Sequence, residues 1–174
     1  MSESTYYTTM PSPIGEIRLV SDGEALTGLY TERHRIGSVQ PSWKRDAGPF
    51  RQAEGQLQAY FDGEARPFDL PLNPRGAEFQ KVVWDALRRL RFGERVSYGE
   101  LARRIGRPGA ARAVGRANAL NPISIIVPCH RVVGSGGALT GYGGGLDCKR
   151  WLLDHEVRFA ALLGPRCDEP IATP

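Results

Sequence analysis

Lysine is almost missing from this 174-residue chain: three of the 23 basic side chains are lysine and twenty are arginine. Cysteine is scarce too. Cys129, Cys148 and Cys167 cannot all pair with one another, so a disulfide framework is excluded and a reducing compartment is expected. No Cys-x-x-Cys occurs, and the spacing of Cys129, His130, Cys148 and His155 fits no common zinc pattern, so no metal is expected. No apolar run approaches the ~18 residues of a membrane helix. Residues 1–4 offer neither the basic nor the apolar segment of a secretory signal. Repeats and low-complexity tracts are absent. The glycine-rich stretch 134–145 lacks the spacing and the lysine of a phosphate-binding loop.

What is present is 41% hydrophobic, enough for a buried core in one domain or two small ones. The net charge of +4 is unevenly spread: residues 1–80 carry −3, residues 81–116 carry +7, and residues 117–174 are neutral. A field concentrated in 36 residues suits a polyanion such as nucleic acid, and it equally suits a solvated helical surface.

Residues 14–30 read as a hairpin, with Ile17 and Leu19 alternating against Glu16 and Arg18, a turn at Asp22-Gly23 and a return from Leu26 to Tyr30. Residues 31–49 read as loop. Phe50, Ala53, Leu57, Tyr60 and Phe61 recur at helical spacing, closed by Asp62-Gly63. Phe68, Leu70 and Leu72 alternate as a short strand. The unit so formed carries no obvious chemistry, its His34 no obvious partner, and it reads as scaffold. Phe79, Val82, Val83, Ala86, Leu87 and Leu90 then form an apolar helical stripe, ended by Phe92-Gly93. Ser97 to Glu100 fits a capping box. A short helix, the turn Gly106-Arg107-Pro108-Gly109 and a small-residue helix from Ala110 to Ala119 have helix-turn-helix grammar, with Arg112 and Arg116 on the outer face. The small residues let that helix approach another surface closely, whether DNA or its own neighbours.

Residues 120–158 hold the unusual chemistry. Ile123 to Val127 is a β-rich apolar run between Pro122 and Pro128, and Cys129-His130-Arg131 follows at once. A thiol becomes a good nucleophile only as a thiolate, and an imidazole that takes its proton lowers that barrier. Glu156 is suited to hold the imidazole tautomer. An ordinary buried cysteine is the competing reading. Asp147 reads as the N-cap of a last helix carrying Trp151, Leu152, Leu153 and Glu156. Cys148 and Cys167 read as packing or surface thiols, His155 as a satisfied surface residue, and residues 164–174 as a frayed tail.

Ser97-Tyr98, Ala111-Arg112-Ala113-Val114-Gly115, Asn121-Pro122, Pro128-Cys129-His130-Arg131-Val132, Tyr142-Gly143-Gly144-Gly145 and His155-Glu156, in that order over residues 78–158, resemble the O6-alkylguanine-DNA alkyltransferase family. The resemblance implies an α/β protein. A small ribonuclease-H-like α/β domain would span residues 1–77, a mostly helical, winged-helix-like helix-turn-helix domain residues 78–163, and a flexible tail residues 164–174. It implies direct reversal of alkylation at O6-alkylguanine, with O4-alkylthymine a second candidate lesion. The partner is double-stranded alkylated DNA bound by the minor groove; no cofactor and no membrane are involved. The chain would act as a monomer, with cooperative assembly on DNA open, in a bacterial cytoplasm and at the nucleoid when bound.

By the same resemblance, Cys129 is the acceptor of one alkyl group, His130 removes its proton through water, Glu156 orients His130, and Asn121 is the hinge from the recognition helix. Arg112 fills the space of the flipped base. Tyr98 turns the target phosphate and hydrogen-bonds the base, and Arg107, Arg116 and Ser135 join it and Arg112 on DNA. Val132, Tyr142, Gly143 and Gly144 line the base pocket with Tyr98. Gly143 stands where relatives often carry a polar residue, which implies backbone recognition and room for bulkier alkyl groups. Two other functions compete: a lesion-sensing or regulatory DNA-binding protein without transfer, which has no need of Cys129, and a cysteine hydrolase, which has no need of the basic segment.

Overall fold

The structure, a computed structural model, describes residues 4–34 and 37–163; the expected tail at 164–174, with Cys167, lies outside them. Three strands open the chain: β1 (Tyr6–Met10), β2 (Ile17–Ser21) and β3 (Leu26–Thr31). β2 and β3 form the expected hairpin, antiparallel with Ile17 opposite Thr31 and Leu19 opposite Leu29, and β1 adds antiparallel to β2. A two-residue strand β4 (Lys44–Arg45) joins β1 in parallel, inside the segment read as loop, giving the order β3-β2-β1-β4. Ile17, Leu19 and Leu29 are fully buried against Phe50, Leu57 and Tyr60 of the following helical stretch. That stretch is a 3₁₀ turn, Gly48–Phe50, running into α1 (Arg51–Phe61), which is closed by Gly63 at φ +92°, a conformation that favours glycine.

Phe68 to Leu72 does not become a strand. Only Leu72 bridges Leu26, through Leu26 N–H to Pro71 O and Asn73 N–H to Leu26 O.

α2 (Glu78–Arg88) buries Val83, Trp84 and Leu87 and stops before Phe92-Gly93. Val82, expected on the apolar stripe, is 43% exposed, and Trp84 takes the buried side instead, its indole N–H donating to Ala117 O at 2.8 Å. β5 (Val96–Ser97), α3 (Tyr98–Arg104) and α4 (Ala111–Ala119) follow. Ser97 caps α3 by accepting from Glu100 N–H at 3.1 Å, but the Glu100 carboxylate pairs with Arg103 and Arg104 rather than closing the box. β5 pairs in parallel with β6 (Val132–Val133), and α5 (Leu146–Leu163) ends the described chain. α5 begins at Leu146, so Asp147, expected as its N-cap, instead lies in its first turn, two residues past the cap position.

Residues 123–127 are buried as expected but form a turn, not a strand; Ile123 alone bridges Leu29, and Ile125 has φ +70°. Left-handed φ is unusual for a β-branched residue and costs about 1–3 kcal/mol, so the surroundings must hold it. One apolar core runs through both halves, from Ile17, Leu19 and Leu57 to Val114, Ile123 and Val132. No helix among the described residues is long and apolar enough to cross a membrane.

Candidate active site

The turn 123–127 delivers the chain to a single 3₁₀ turn, Cys129–Arg131, wholly buried. Asn121 is 2% exposed and ties the turn together: its Nδ2 donates to Val127 O at 2.8 Å and its Oδ1 accepts from Ile123 N–H at 3.0 Å. One turn back on α4, Asn118 donates to Cys129 O at 3.3 Å. The asparagines therefore link the end of the helix-turn-helix to the cysteine through backbone groups that no solvent reaches.

Glu156, 1% exposed on α5, is the hub of the site. It accepts from His130 Nε2 at 2.7 Å, from the Arg131 guanidinium at 2.9 Å on both oxygens, from Tyr60 Oη at 2.9 Å and from Gly93 N–H at 3.0 Å. Burial alone would raise the Glu156 carboxyl, but the charge and hydrogen bonds of His130 and Arg131 hold it well below the usual carboxylate range. A carboxylate only accepts, so Nε2 of His130 carries the hydrogen and Nδ1 carries the lone pair. Nδ1 is buried with no hydrogen-bond partner among the described residues. Burial also lowers His130 from its ordinary value, outweighing the neighbouring carboxylate, so the imidazole is a neutral base.

Burial pushes the Cys129 thiol up, against the pull of the Asn121 side chain and the Lys149 charge. The resting cysteine is thus a thiol that needs a base. Lys149 is fully buried on α5, its ammonium donating to Val132 O at 2.6 Å and Thr140 O at 2.8 Å. Glu156 is neutralised by Arg131, whereas Lys149 has no carboxylate in an ion pair among the described residues. An ammonium beside the thiol favours the thiolate once the proton leaves.

The remaining expected residues surround this centre. Val132 is fully buried on β6, and the Tyr142 hydroxyl is buried and pushed well up, first by burial and then by the field of Cys129. Tyr98, at the start of α3, packs its ring on Gly115 of α4 and pairs its hydroxyl with Thr140 Oγ1 at 3.1 Å, which joins α4 to the glycine loop. Gly143 is exposed and Gly144 buried. Arg112 and Arg116 on α4, Arg107 in the preceding turn and Ser135 on a 3₁₀ turn are all exposed, and the three arginines make no ion pair among the described residues.

Several site residues had no chemical role in the sequence reading. Arg131 lies inside the Pro-Cys-His-Arg-Val motif, a signal that was there to be used. Lys149, Tyr60 and Gly93 gave none. The unit read as scaffold therefore supplies a donor to Glu156 through Tyr60, and His155 is buried rather than a surface residue, stacked on Trp151 at 4.8 Å with Nε2 2.8 Å from Tyr60 O.

This arrangement matches known proteins along most of its length. A family model described as the 6-O-methylguanine DNA methyltransferase DNA-binding domain matches residues 78–158, and one described as the ribonuclease-like domain of the same methyltransferase matches residues 5–74. The methylated-DNA–protein-cysteine methyltransferase of Mycobacterium bovis is 52% identical over 151 residues, 87% of this chain and 92% of that protein. That of Methanosarcina acetivorans is 51% identical over 152 residues, 87% and 97% of the two chains. The crystal structure of Mycobacterium tuberculosis OGT in complex with DNA superposes with a TM-score of 0.83 at 51% identity, covering 88% of this chain and 94% of that one. With family models over both units, a matching fold and these relatives, the chain belongs to the 6-O-methylguanine DNA methyltransferase family.

Proposed function

We propose that the chain repairs DNA by direct reversal, moving the alkyl group of an O6-alkylguanine in duplex DNA onto Cys129 in a single turnover. The observation that carries this reading is the buried relay: a thiol, a neutral imidazole whose Nδ1 has no partner among the described residues, and a carboxylate held ionised behind it. The thiol proton passes to His130 Nδ1 through one water, and Glu156 stabilises the imidazolium that forms. The sulfur attacks the alkyl carbon in line, the S–C bond forms, and the C–O6 bond breaks with its electron pair going to the guanine. The guanine takes back one proton, so charge and protons balance. A thioether is a poor leaving group and nothing in the relay removes it, so each chain acts once.

The base reaches the thiol by leaving the stack. Tyr98 and the amides of the 142–144 loop are suited to hydrogen-bond it, with Val132 beneath. Arg112 fills the gap left in the duplex, approaching by the minor groove, while Arg107, Arg116 and Ser135 hold the phosphate backbone. The division of labour follows residues 1–77 and 78–163, with the first unit supporting the relay of the second. The test is intact mass after mixing the protein with a duplex carrying one O6-methylguanine, followed by peptide mapping. One methyl on Cys129, at a ceiling of one per protein, is expected. Restored guanine without protein alkylation refutes the mechanism, and tight binding without transfer makes the protein a lesion sensor.

A further inference from the structure

The turn after β3 and the glycine run of the pocket loop fit each other residue by residue. A Cβ on Gly143 would collide with His34 Nε2 and stand 2.6 Å from His34 Cδ2. One on Gly144 would stand 2.6 Å from Thr31 Oγ1 and 3.3 Å from Cys148 Sγ, and one on Gly145 would touch the Arg33 side chain at 4.0 Å. Gly145 has φ +92°, which favours glycine by itself, but Gly143 and Gly144 do not have left-handed φ. What excludes a side chain at 143 is therefore His34 of the turn, and at 144 it is Thr31 at the end of β3 with Tyr142 of the loop itself at 3.0 Å, not the backbone of either glycine. His34 is held for this contact. Its N–H donates to Thr31 O at 2.9 Å, and its ring meets Tyr30 edge to face, with centroids 5.4 Å apart at 63°.

We propose that His34 is a specificity-determining residue of the base pocket, its imidazole seated on Gly143 and occupying the space that a side chain there would fill. The proposal rests on reading the 142–144 loop as the wall that meets the alkylated base. It also reverses the expectation that glycine at 143 leaves room for bulky alkyl groups, because His34 has taken that room. The residue acts through the loop, from a unit that otherwise looks remote from the chemistry.

The test is the rate of transfer to Cys129 from duplexes carrying O6-methylguanine or O6-benzylguanine, for the wild type, His34→Ala, Gly143→Ser and the double variant, with thermal midpoints measured in parallel. In His34→Ala the benzyl-to-methyl rate ratio should rise by about tenfold or more, since a single methylene of pocket space already discriminates by about that much. Gly143→Ser should lose rate on both substrates, and adding His34→Ala should restore it, a rescue that general loosening of the fold does not produce. An unchanged ratio in His34→Ala overturns the proposal. So does full activity of Gly143→Ser with His34 in place, an arm that remains readable if His34→Ala fails to fold. A wild-type chain that transfers neither group removes the underlying reading and the proposal with it, and is distinguished by the absence of any alkylated Cys129.

Discussion

Replacing Tyr60 by phenylalanine deletes a single oxygen from the Glu156 cluster and leaves the packing intact. The ring keeps its contacts with Phe61, Phe68, Phe92 and His155, whose centroids lie 5.3–5.9 Å away. Burial first, and then the Glu156 charge, push the Tyr60 phenol well above its ordinary value, so it is a neutral donor. Its hydroxyl meets an ionised acceptor at 2.9 Å in a site that is 2% exposed at Tyr60 and 1% at Glu156. A hydrogen bond to a charged group contributes about 1.5–3 kcal/mol. For a chain of this size, 1 kcal/mol moves the melting midpoint by about 2–4 °C, so Tyr60→Phe should melt roughly 3–12 °C lower. Glu156 has its carboxyl depressed by folding, so its stabilisation is fully present above the ordinary value of 4.5 and is lost only as pH falls through the folded value. The deficit of the variant should accordingly be constant between about pH 6 and 8. Transfer should change far less than stability, because His130 and Arg131 still hold the carboxylate. Equal midpoints measured by calorimetry, or lost transfer at unchanged stability, would refute the account of Tyr60 as a structural donor to the relay.

Asn121→Ala should cost about 1–3 kcal/mol in urea unfolding, since Ile123 N–H is left buried without its partner, whereas Val127 O keeps the Cys129 N–H at 2.8 Å. Lys149→Met should slow transfer at neutral pH and displace its pH dependence upward, because the charge that favours the Cys129 thiolate is gone; an unmoved profile would make Lys149 purely structural. Arg112→Ala should weaken transfer from duplex more than transfer from free O6-benzylguanine, and equal losses would argue against its proposed place in the stack. In the wild type, folding lowers His130 below 6.5, so transfer should hold level down to about pH 6.5 and decline only at lower pH. The unfolded chain binds that proton first, so stability also falls as pH drops below 6.5.

What could be read in the sequence was local. The β2–β3 hairpin follows from alternation and a turn within fifteen residues, the α2 stripe from a 3.6-residue period, and the helix-turn-helix from a cap and a glycine turn. The thiol, imidazole and carboxylate were legible because Cys129 and His130 are adjacent and Glu156 follows on a regular helix. β1 escaped notice because Tyr6-Tyr7-Thr8-Thr9 has no alternation, and it is a strand only through its pairing with β2. Residues 68–72 and 123–127 carry strand composition, but each pairs with β3 at a single position, Leu72 with Leu26 and Ile123 with Leu29, so tertiary context decides against a strand. Val82 and Trp84 exchanged faces because an amphipathic wheel places stripes to within about one residue. Tyr60 and His155 meet Glu156 and the Tyr60 carbonyl across 95 residues or more, a separation at which no periodicity carries information.

The first unit reaches each working part of the second by a different kind of contact. Tyr60 supplies a charged hydrogen bond to the relay. Leu29 N–H donates to Pro122 O at 2.9 Å, and Leu29 O accepts from Ser124 N–H at 3.2 Å, so a sheet edge grips the turn that carries the strained Ile125 and leads to Cys129. Thr31, Arg33 and His34 seat the pocket loop by shape. All three originate on β3, its following turn or α1, the elements whose other faces share the core with α2 and α4. A single-use protein gains nothing from a site that must reset, but it needs one that is already assembled when the lesion arrives. On the proposed mechanism, holding the nucleophile's turn, the base's orienting carboxylate and the pocket wall from one sheet and helix meets that need, because none of the three can shift without disturbing backbone hydrogen bonds, buried charge or close packing. That physical requirement explains why a unit without a nucleophile or a basic face is built into the same core as the reaction.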